Sequence, residues 1–331
     1  MPFRDIIGHR RIVALLSRSV EADTLPPTLL FAGPDGVGKR LTATATAQAL
    51  NCTAKGSDAC GVCTACTRIA RGVHSEVIVV QPGDTGSIKI EQVRELIDRA
   101  AYRPFEGRRR VVIIDEADAL VVAAQHALLK SLEEPPPSTV FFLITSRPDA
   151  LLPTVLSRCP RLRFHPLSPD DVARVLVGMG EPEANARAVA AVAGGSVRRA
   201  LEASADEVIE AREVAREVLA HAAASPDARR RIDGAKDLLV KTGAGGVSDR
   251  EQLATHLRAM ASLLRDVELL STRADVRGLA NPGLQPALER LTAAYRGERG
   301  VRAFEAVDRA LVALERNAGV KVVADWVVLN L

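Results

Sequence analysis

Gly33-Pro34-Asp35-Gly36-Val37-Gly38-Lys39-Arg40 is the stretch on which the fold turns. It follows the apolar run Thr28-Leu29-Leu30-Phe31-Ala32, which reads as a buried strand. It precedes Leu41-Thr42-Ala43-Thr44-Ala45, which reads as a helix. Strand, glycine loop, lysine and helix in that order make a phosphate-binding loop. The glycines let backbone N–H groups wrap a phosphate, the helix N-terminus adds partial positive charge, and Lys39 adds a full one. The pattern then asks for Ser or Thr, whose hydroxyl ligates Mg²⁺, and Arg40 stands there instead. Thr42 lies about 200° further round the helix and is a poor substitute. The loop has the parts to hold a nucleotide and lacks one needed to cleave it. A glycine turn alone could simply join strand to helix; the full spacing favours phosphate.

The next chemistry lies at the end of another apolar run, Val111-Val112-Ile113-Ile114, where Asp115-Glu116-Ala117-Asp118 follows. Open α/β sheets bind ligands at the carboxyl ends of their strands. In phosphate-loop enzymes an aspartate there holds Mg²⁺ and the next glutamate polarises the attacking water. An acidic helix cap, from Asp115 or Asp118, is the plainer alternative. With the glycine loop upstream, the run reads as a Walker B strand, and Asp115 and Glu116 become candidate catalytic residues. Arg108-Arg109-Arg110, just before it, reads as a solvated strand entry. Val77–Val80 and Thr139-Val140-Phe141-Phe142-Leu143-Ile144-Thr145-Ser146 read as further strands. The second ends in two hydroxyls placed to meet a phosphate or to cap a turn. Gln81-Pro82-Gly83-Asp84 ends the first. Helices are expected around residues 12–20, 88–101 and 125–134, the last stopped by Pro135-Pro136-Pro137. His126 and Cys159 read as packing residues, and no Ser–His–Asp arrangement is evident.

Cys52, Cys60, Cys63 and Cys66 form two C-x-x-C steps sharing Cys63, with a fourth cysteine upstream. Zinc takes four thiolates in a tetrahedron, and close pairs plus a more distant ligand supply them. Structural zinc is favoured over redox thiols, and four protein ligands leave no open position for chemistry.

The bulk composition agrees. The chain has 331 residues, 47% apolar and 26% charged, enough for two or three domains with full cores. A net charge of +3 is too small to argue nucleic-acid binding by itself. No run of 18 apolar residues is present and the N-terminus lacks the core of a secretory signal, so a cytoplasmic protein without membrane contact is expected. Thiols there favour metal over disulfides.

Leu167-Ser168-Pro169-Asp170-Asp171 has the form of a helix start, with Ser168 as cap, and opens an all-helical remainder. Leu253, Leu257, Met260, Leu264 and Val267 recur at helical spacing, as do Phe304, Val307, Leu311 and Leu314. Gly243-Ala244-Gly245-Gly246 and Asn281-Pro282-Gly283 read as loops. This third carries no catalytic constellation and suits oligomerisation.

The phosphate loop, the four-cysteine module after its helix, Ile114-Asp115-Glu116-Ala117-Asp118, and the run from Ala127 to Pro135 leading to Leu156-Ser157-Arg158-Cys159 together resemble the clamp-loader subunits of bacterial DNA polymerase III, in the AAA+ class. The resemblance rests on specific motifs over about the first 205 residues. It implies an α/β P-loop AAA+ domain at 1–166 with the zinc module 52–66 inserted, a helical lid at 167–206 and an all-α collar at 207–331. It implies an arginine finger at Arg158 that enters a neighbour's ATP site, worth several powers of ten in rate. It also implies a nucleotide contact from Thr145 (sensor 1) and from Arg198 (sensor 2), beside Gly33, Gly36, Gly38, Lys39 and Arg40 of the loop. Structural Zn²⁺ is implied at the four cysteines. ATP or ADP would be held passively if at all, and Arg40 argues against Mg²⁺.

Within the family the chain looks more like the delta-prime group, through Arg40 and its ending at Leu331, than like the tau/gamma motors, which usually keep Thr after the lysine. The implied role is stator and finger donor in the holoenzyme, with little or no ATPase of its own. Its partners would be tau/gamma and delta subunits, with the beta sliding clamp and primed DNA reached through the complex. Two alternatives stay open: an ATP-hydrolysing tau/gamma-type motor, and a free-standing zinc-containing nucleotide switch.

Overall fold

The computed structural model describes residues 1–54, 56–83, 85–225, 227–239, 249–272 and 278–331. Asp84 and the glycine run 243–246 lie outside them. The chain divides into two compact units, Met1–Leu167 and Ser168–Leu331.

In the first unit α1 (Arg10–Glu21) precedes β1 (Thr28–Ala32), α2 (Lys39–Asn51), α3 (Thr64–Ala70), β2 (Val77–Val80), α4 (Ile90–Ala101) and β3 (Arg110–Ile114). Then come α5 (Val122–Glu133), β4 (Thr139–Thr145), the single turn α6 (Pro153–Leu156) and β5 (Arg161–Arg163). The five strands form one parallel sheet in the order β2-β3-β4-β1-β5. Successive side chains of a strand point to opposite faces. Leu30, Val112, Ile114, Phe141 and Leu143 therefore face one way and pack under α4 and α5 with Val93, Leu96, Leu128 and Leu132. Leu29, Phe31, Val111, Ile113, Val140, Phe142 and Ile144 face the other and meet Leu16, Ala43 and Ala47 of α1 and α2. With both faces covered, β1, β3 and β4 are buried from end to end, which is why they read as unbroken apolar runs. Each such large side chain contributes about 1.5–3 kcal/mol.

Two sequence expectations are corrected here. Arg108-Arg109-Arg110 is not a solvated entry. Arg110 is buried, its guanidinium donating to Glu76 Oε2 at 2.9 and 2.6 Å and to the carbonyls of Arg99 and Tyr102. Arg108 bonds the Cys52 carbonyl and Arg109 pairs with Asp23. The strand entry is crossed by a polar frame because β3 starts beneath the end of α4. Nor is His126 a packing residue; it is exposed on α5. Cys159 is buried as expected, and burial pushes its thiol up to about 11, so it stays protonated.

The second unit contains α7 (Pro169–Gly178), α8 (Glu183–Val192), α9 (Val197–Glu202), α10 (Ala205–Ala224), α11 (Ala228–Ala235), α12 (Asp249–Ser271), α13 (Gln285–Thr292), α14 (Glu298–Glu315) and α15 (Val320–Leu329). Ser168 caps α7, its hydroxyl accepting the Asp171 N–H at 3.1 Å. α12 packs against α8, α10, α13 and α14, so helices from either side of residue 206 share one body. Leu253, Leu257, Met260, Leu264 and Val267 are all buried on α12. On α14 the stripe is narrower than its spacing suggested: Val307 and Leu314 are buried and Phe304 is exposed. Asp266 of α12 is fully buried and accepts the N–H groups of Ala280 and Asn281, which ties down the loop before α13. Tyr295, also fully buried, donates its hydroxyl to the Leu219 carbonyl.

Candidate functional site

The glycine loop spans the gap from β1 to α2. Gly33 donates its N–H to the Thr145 carbonyl of β4, and a Cβ on Gly33 would stand 2.2 Å from the Phe164 carbonyl oxygen. Only glycine allows that approach. Gly36 and Gly38 take positive φ of 72° and 96°, a region costly for other residues. Lys39 opens α2, is 5% exposed, and turns back over the loop, donating to the carbonyls of Gly33 and Pro34 at 2.7 and 2.6 Å. His9, at φ 48°, donates Nε2–H to the Val37 carbonyl and stacks edge-on against Phe164. The N-terminal segment thus lies along the loop.

The parallel order puts the ends of β1, β3 and β4 on one edge, with β1 at the point where the strand order reverses. Asp115 follows β3, and its carboxylate meets the Arg40 guanidinium at 3.3 Å; the same guanidinium nitrogen donates to Gln81 Oε1 at 3.2 Å. Glu116 takes the left-handed region at φ 52° and donates its N–H to Asp115. Thr145 donates its hydroxyl to Asp118, which also accepts from Arg147. Burial works against the Asp118 carboxylate, but those two bonds outweigh it and hold its pKa below the ordinary value. Thr42 is buried and its hydroxyl donates to the Gly38 carbonyl, so it reaches no ligand. Ser146 is exposed.

The structure therefore brings Gly33, Gly36, Gly38, Lys39, Arg40, Asp115, Glu116 and Thr145 to one edge. It does not bring Arg158 there. The Arg158 carbonyl accepts the hydroxyl of Thr28, the first residue of β1, whereas the loop follows its last. Four strand steps, about 13 Å, separate the two ends. Arg158 is held by Glu133 at the end of α5 and donates to the Thr154 carbonyl. Arg198 is exposed in the first turn of α9, in the second unit. Sequence reasoning missed Gln81, Glu133 and Arg147. Each is an ordinary polar residue until the topology places it, and nothing local marks it.

The cysteines make a separate centre. Their sulfurs lie within 4.8 Å of one another, with Cys52 and Cys63 at 4.0 Å. Zinc–thiolate bonds of about 2.3 Å would set them about 3.8 Å apart in a tetrahedron. The N–H groups of Cys60 and Cys63 donate to the sulfurs of Cys52 and Cys60, supporting thiolates. Without a cation the four cannot ionise together. Burial opposes ionisation of Cys63, but hydrogen bonds from Thr53 and Cys66 bring it down to about 5, while burial pushes Cys66 up to about 12. The donor set fits zinc.

Three comparisons bear on this geometry. Residues 8–168 match the family model described as DNA polymerase III, delta subunit. The chain is 36% identical over 183 residues to DNA polymerase III subunit gamma/tau of Mycobacterium tuberculosis, covering 55% of this chain and 32% of that one. It is 36% identical over 167 residues to DNA polymerase III subunit delta' of Bacillus subtilis, covering 50% of each. The chain thus spans between a third and a half of the length of these relatives. A gamma-subunit-related protein of Thermotoga maritima aligns over 95% of this chain and 96% of that one, at 18% identity and a TM-score of 0.37. Nearly the whole of the first unit is covered by the family match, and over that stretch the chain is similar to subunits of DNA polymerase III.

Proposed function

We propose that the chain is a delta-prime-type subunit of the DNA polymerase III clamp loader, acting in replication as a stator that donates Arg158 to a neighbouring motor subunit. The position of Arg158 carries this reading. It sits at the opposite end of β1 from its own phosphate loop, so it cannot neutralise phosphoryl charge there and is free to do so across a subunit boundary. Arg40 supports the same division of labour, because it takes the place of the Mg²⁺-binding hydroxyl and leaves this subunit's own hydrolysis weak or absent. In this reading residues 167–206 are the lid, with Arg198 as its nucleotide-sensing arginine, and 207–331 the collar. The tau/gamma and delta subunits are the direct partners. The beta clamp and primed DNA are met through the complex, and structural zinc sits at Cys52, Cys60, Cys63 and Cys66.

Reconstitution with motor subunits tests the proposal. Arg158→Ala should assemble normally and lose most of the complex's ATPase; unchanged turnover would overturn it. Lys39, Asp115 and Glu116 are all present, and this favours a second reading, a tau/gamma-type motor. ATP turnover by the purified chain that vanishes on Lys39→Ala would establish that reading instead.

A further inference from the structure

The residues at the loop do not fit a divalent cation. In phosphate loops the cation sits between the hydroxyl after the lysine and the acid of the Walker B strand. Here a side chain already spans that gap. The Arg40 guanidinium joins Asp115 at 3.3 Å and Gln81 at 3.2 Å. Mg²⁺ asks for oxygen ligands in a near-octahedral shell, and a guanidinium offers only donors and a like charge. Asp115 is committed to Arg40, and the Thr42 hydroxyl is turned to the Gly38 carbonyl. Among the described residues of this edge, the positive charge beside the loop belongs to the protein itself.

We propose that Arg40 is a built-in counter-ion, and that the loop takes a nucleoside diphosphate without Mg²⁺. The loop amides and Lys39 address one phosphoryl group, with Lys39 exchanging its bonds to Gly33 and Pro34 for the ligand. Mg²⁺ normally bridges the β- and γ-phosphoryl oxygens and neutralises the third phosphoryl. Without it, that charge is added at an edge already holding the carboxylates of Asp115, Glu116 and Asp118, and Asp118 is kept ionised by Thr145 and Arg147. A diphosphate avoids this cost. The site is therefore a retention site for ADP, insensitive to the metal that governs turnover elsewhere. The inference rests on the clamp-loader reading only for the choice of a nucleotide as ligand.

ADP binding to the full chain, measured by calorimetry in excess Mg²⁺ and in EDTA, tests it. Dissociation constants should agree within about twofold, and ATP should bind no more tightly than ADP. Arg40→Thr should make ADP binding at least about tenfold weaker in EDTA than in Mg²⁺, and Arg40→Gln should weaken it in both buffers. Lys39→Ala should abolish it in both, which places the ligand in the loop. A wild-type chain that loses ADP in EDTA, or binds none in either buffer, overturns the proposal, as does Arg40→Thr that stays indifferent to Mg²⁺. None of these outcomes touches the role of Arg158, which is read from the turnover of the motor subunits.

Discussion

Arg158 is clasped by Glu133: both Nε and Nη2 of the guanidinium donate to one carboxylate oxygen at the end of α5. The pair lies at the surface, Arg158 30% and Glu133 48% exposed, so it contributes only about 0.2–1 kcal/mol. An arginine held that lightly can leave its clasp when a better anion is presented, as the proposed action in trans requires. Glu133→Gln should leave the melting temperature almost unchanged and raise motor ATPase in the reconstituted complex by up to about fivefold. A fall in ATPase would mean that Glu133 aims Arg158 rather than restrains it.

The Glu76–Arg110 pair is of the opposite kind. Glu76 is fully buried and also accepts the N–H groups of Phe105 and Glu106. Removing one partner of such a pair strands a buried charge and costs about 3–5 kcal/mol. Glu76→Ala should lose that much in urea unfolding at neutral pH. Replacing both residues, as Glu76→Gln with Arg110→Met, should recover part of the loss, because the pair's desolvation cost goes with it.

The same carboxylate sets a pH dependence. Burial would raise its pKa, but the Phe105 N–H, the Arg110 guanidinium and the Glu106 N–H outweigh that and hold it below the usual carboxylate range. A group whose pKa is lower folded than unfolded contributes stability above its unfolded pKa. That contribution is lost as pH falls through the folded value. Unfolded glutamate titrates near ~4.3, so the loss should begin there and deepen with further acid. Unfolding curves of Glu76→Gln should show a shallower acid limb than wild type; an identical slope would rule Glu76 out as its source.

These pairs mark the limit of what could be read along the chain. β1, β3 and β4 were legible because full burial on both faces writes them as unbroken apolar runs, and the loop because its glycines sit at fixed offsets; β5, Arg161-Leu162-Arg163, is short and largely exposed and left no such run. The start of α7 was legible from Ser168 and Pro169. The fate of Arg40 was half legible: its place after Lys39 showed that a hydroxyl was missing. Its bond to Asp115, 75 residues on, exists only because β3 and β1 share an edge with β4 between them. Arg110 misled for the same reason, since its partner comes from the turn before β2. Charge says that a residue wants a partner, and topology chooses which.

The four-cysteine module is tied to the N-terminal segment, so on the zinc reading loss of the metal becomes visible far from the cysteines. Asp58, inside the module, accepts the N–H groups of Phe3 and Arg4 and pairs with the Arg4 guanidinium. That guanidinium also donates to the carbonyls of Ala59 and Cys60, and Ser17 of α1 donates to Ser57. From Arg4 the chain runs to His9, which is bonded to the phosphate loop at Val37. Four adjacent thiolates are tolerable only beside a cation, so on the zinc reading the module's fold depends on the metal. Chelation, or Cys66→Ser, should therefore release about one zinc per chain and speed amide exchange in residues 3–9 as well as 52–66. Exchange in β3 and β4, buried in the sheet, should stay slow. Rapid exchange confined to 52–66 would show that the N-terminal segment is held by α1 and Phe164 alone, and would disconnect the metal from the loop.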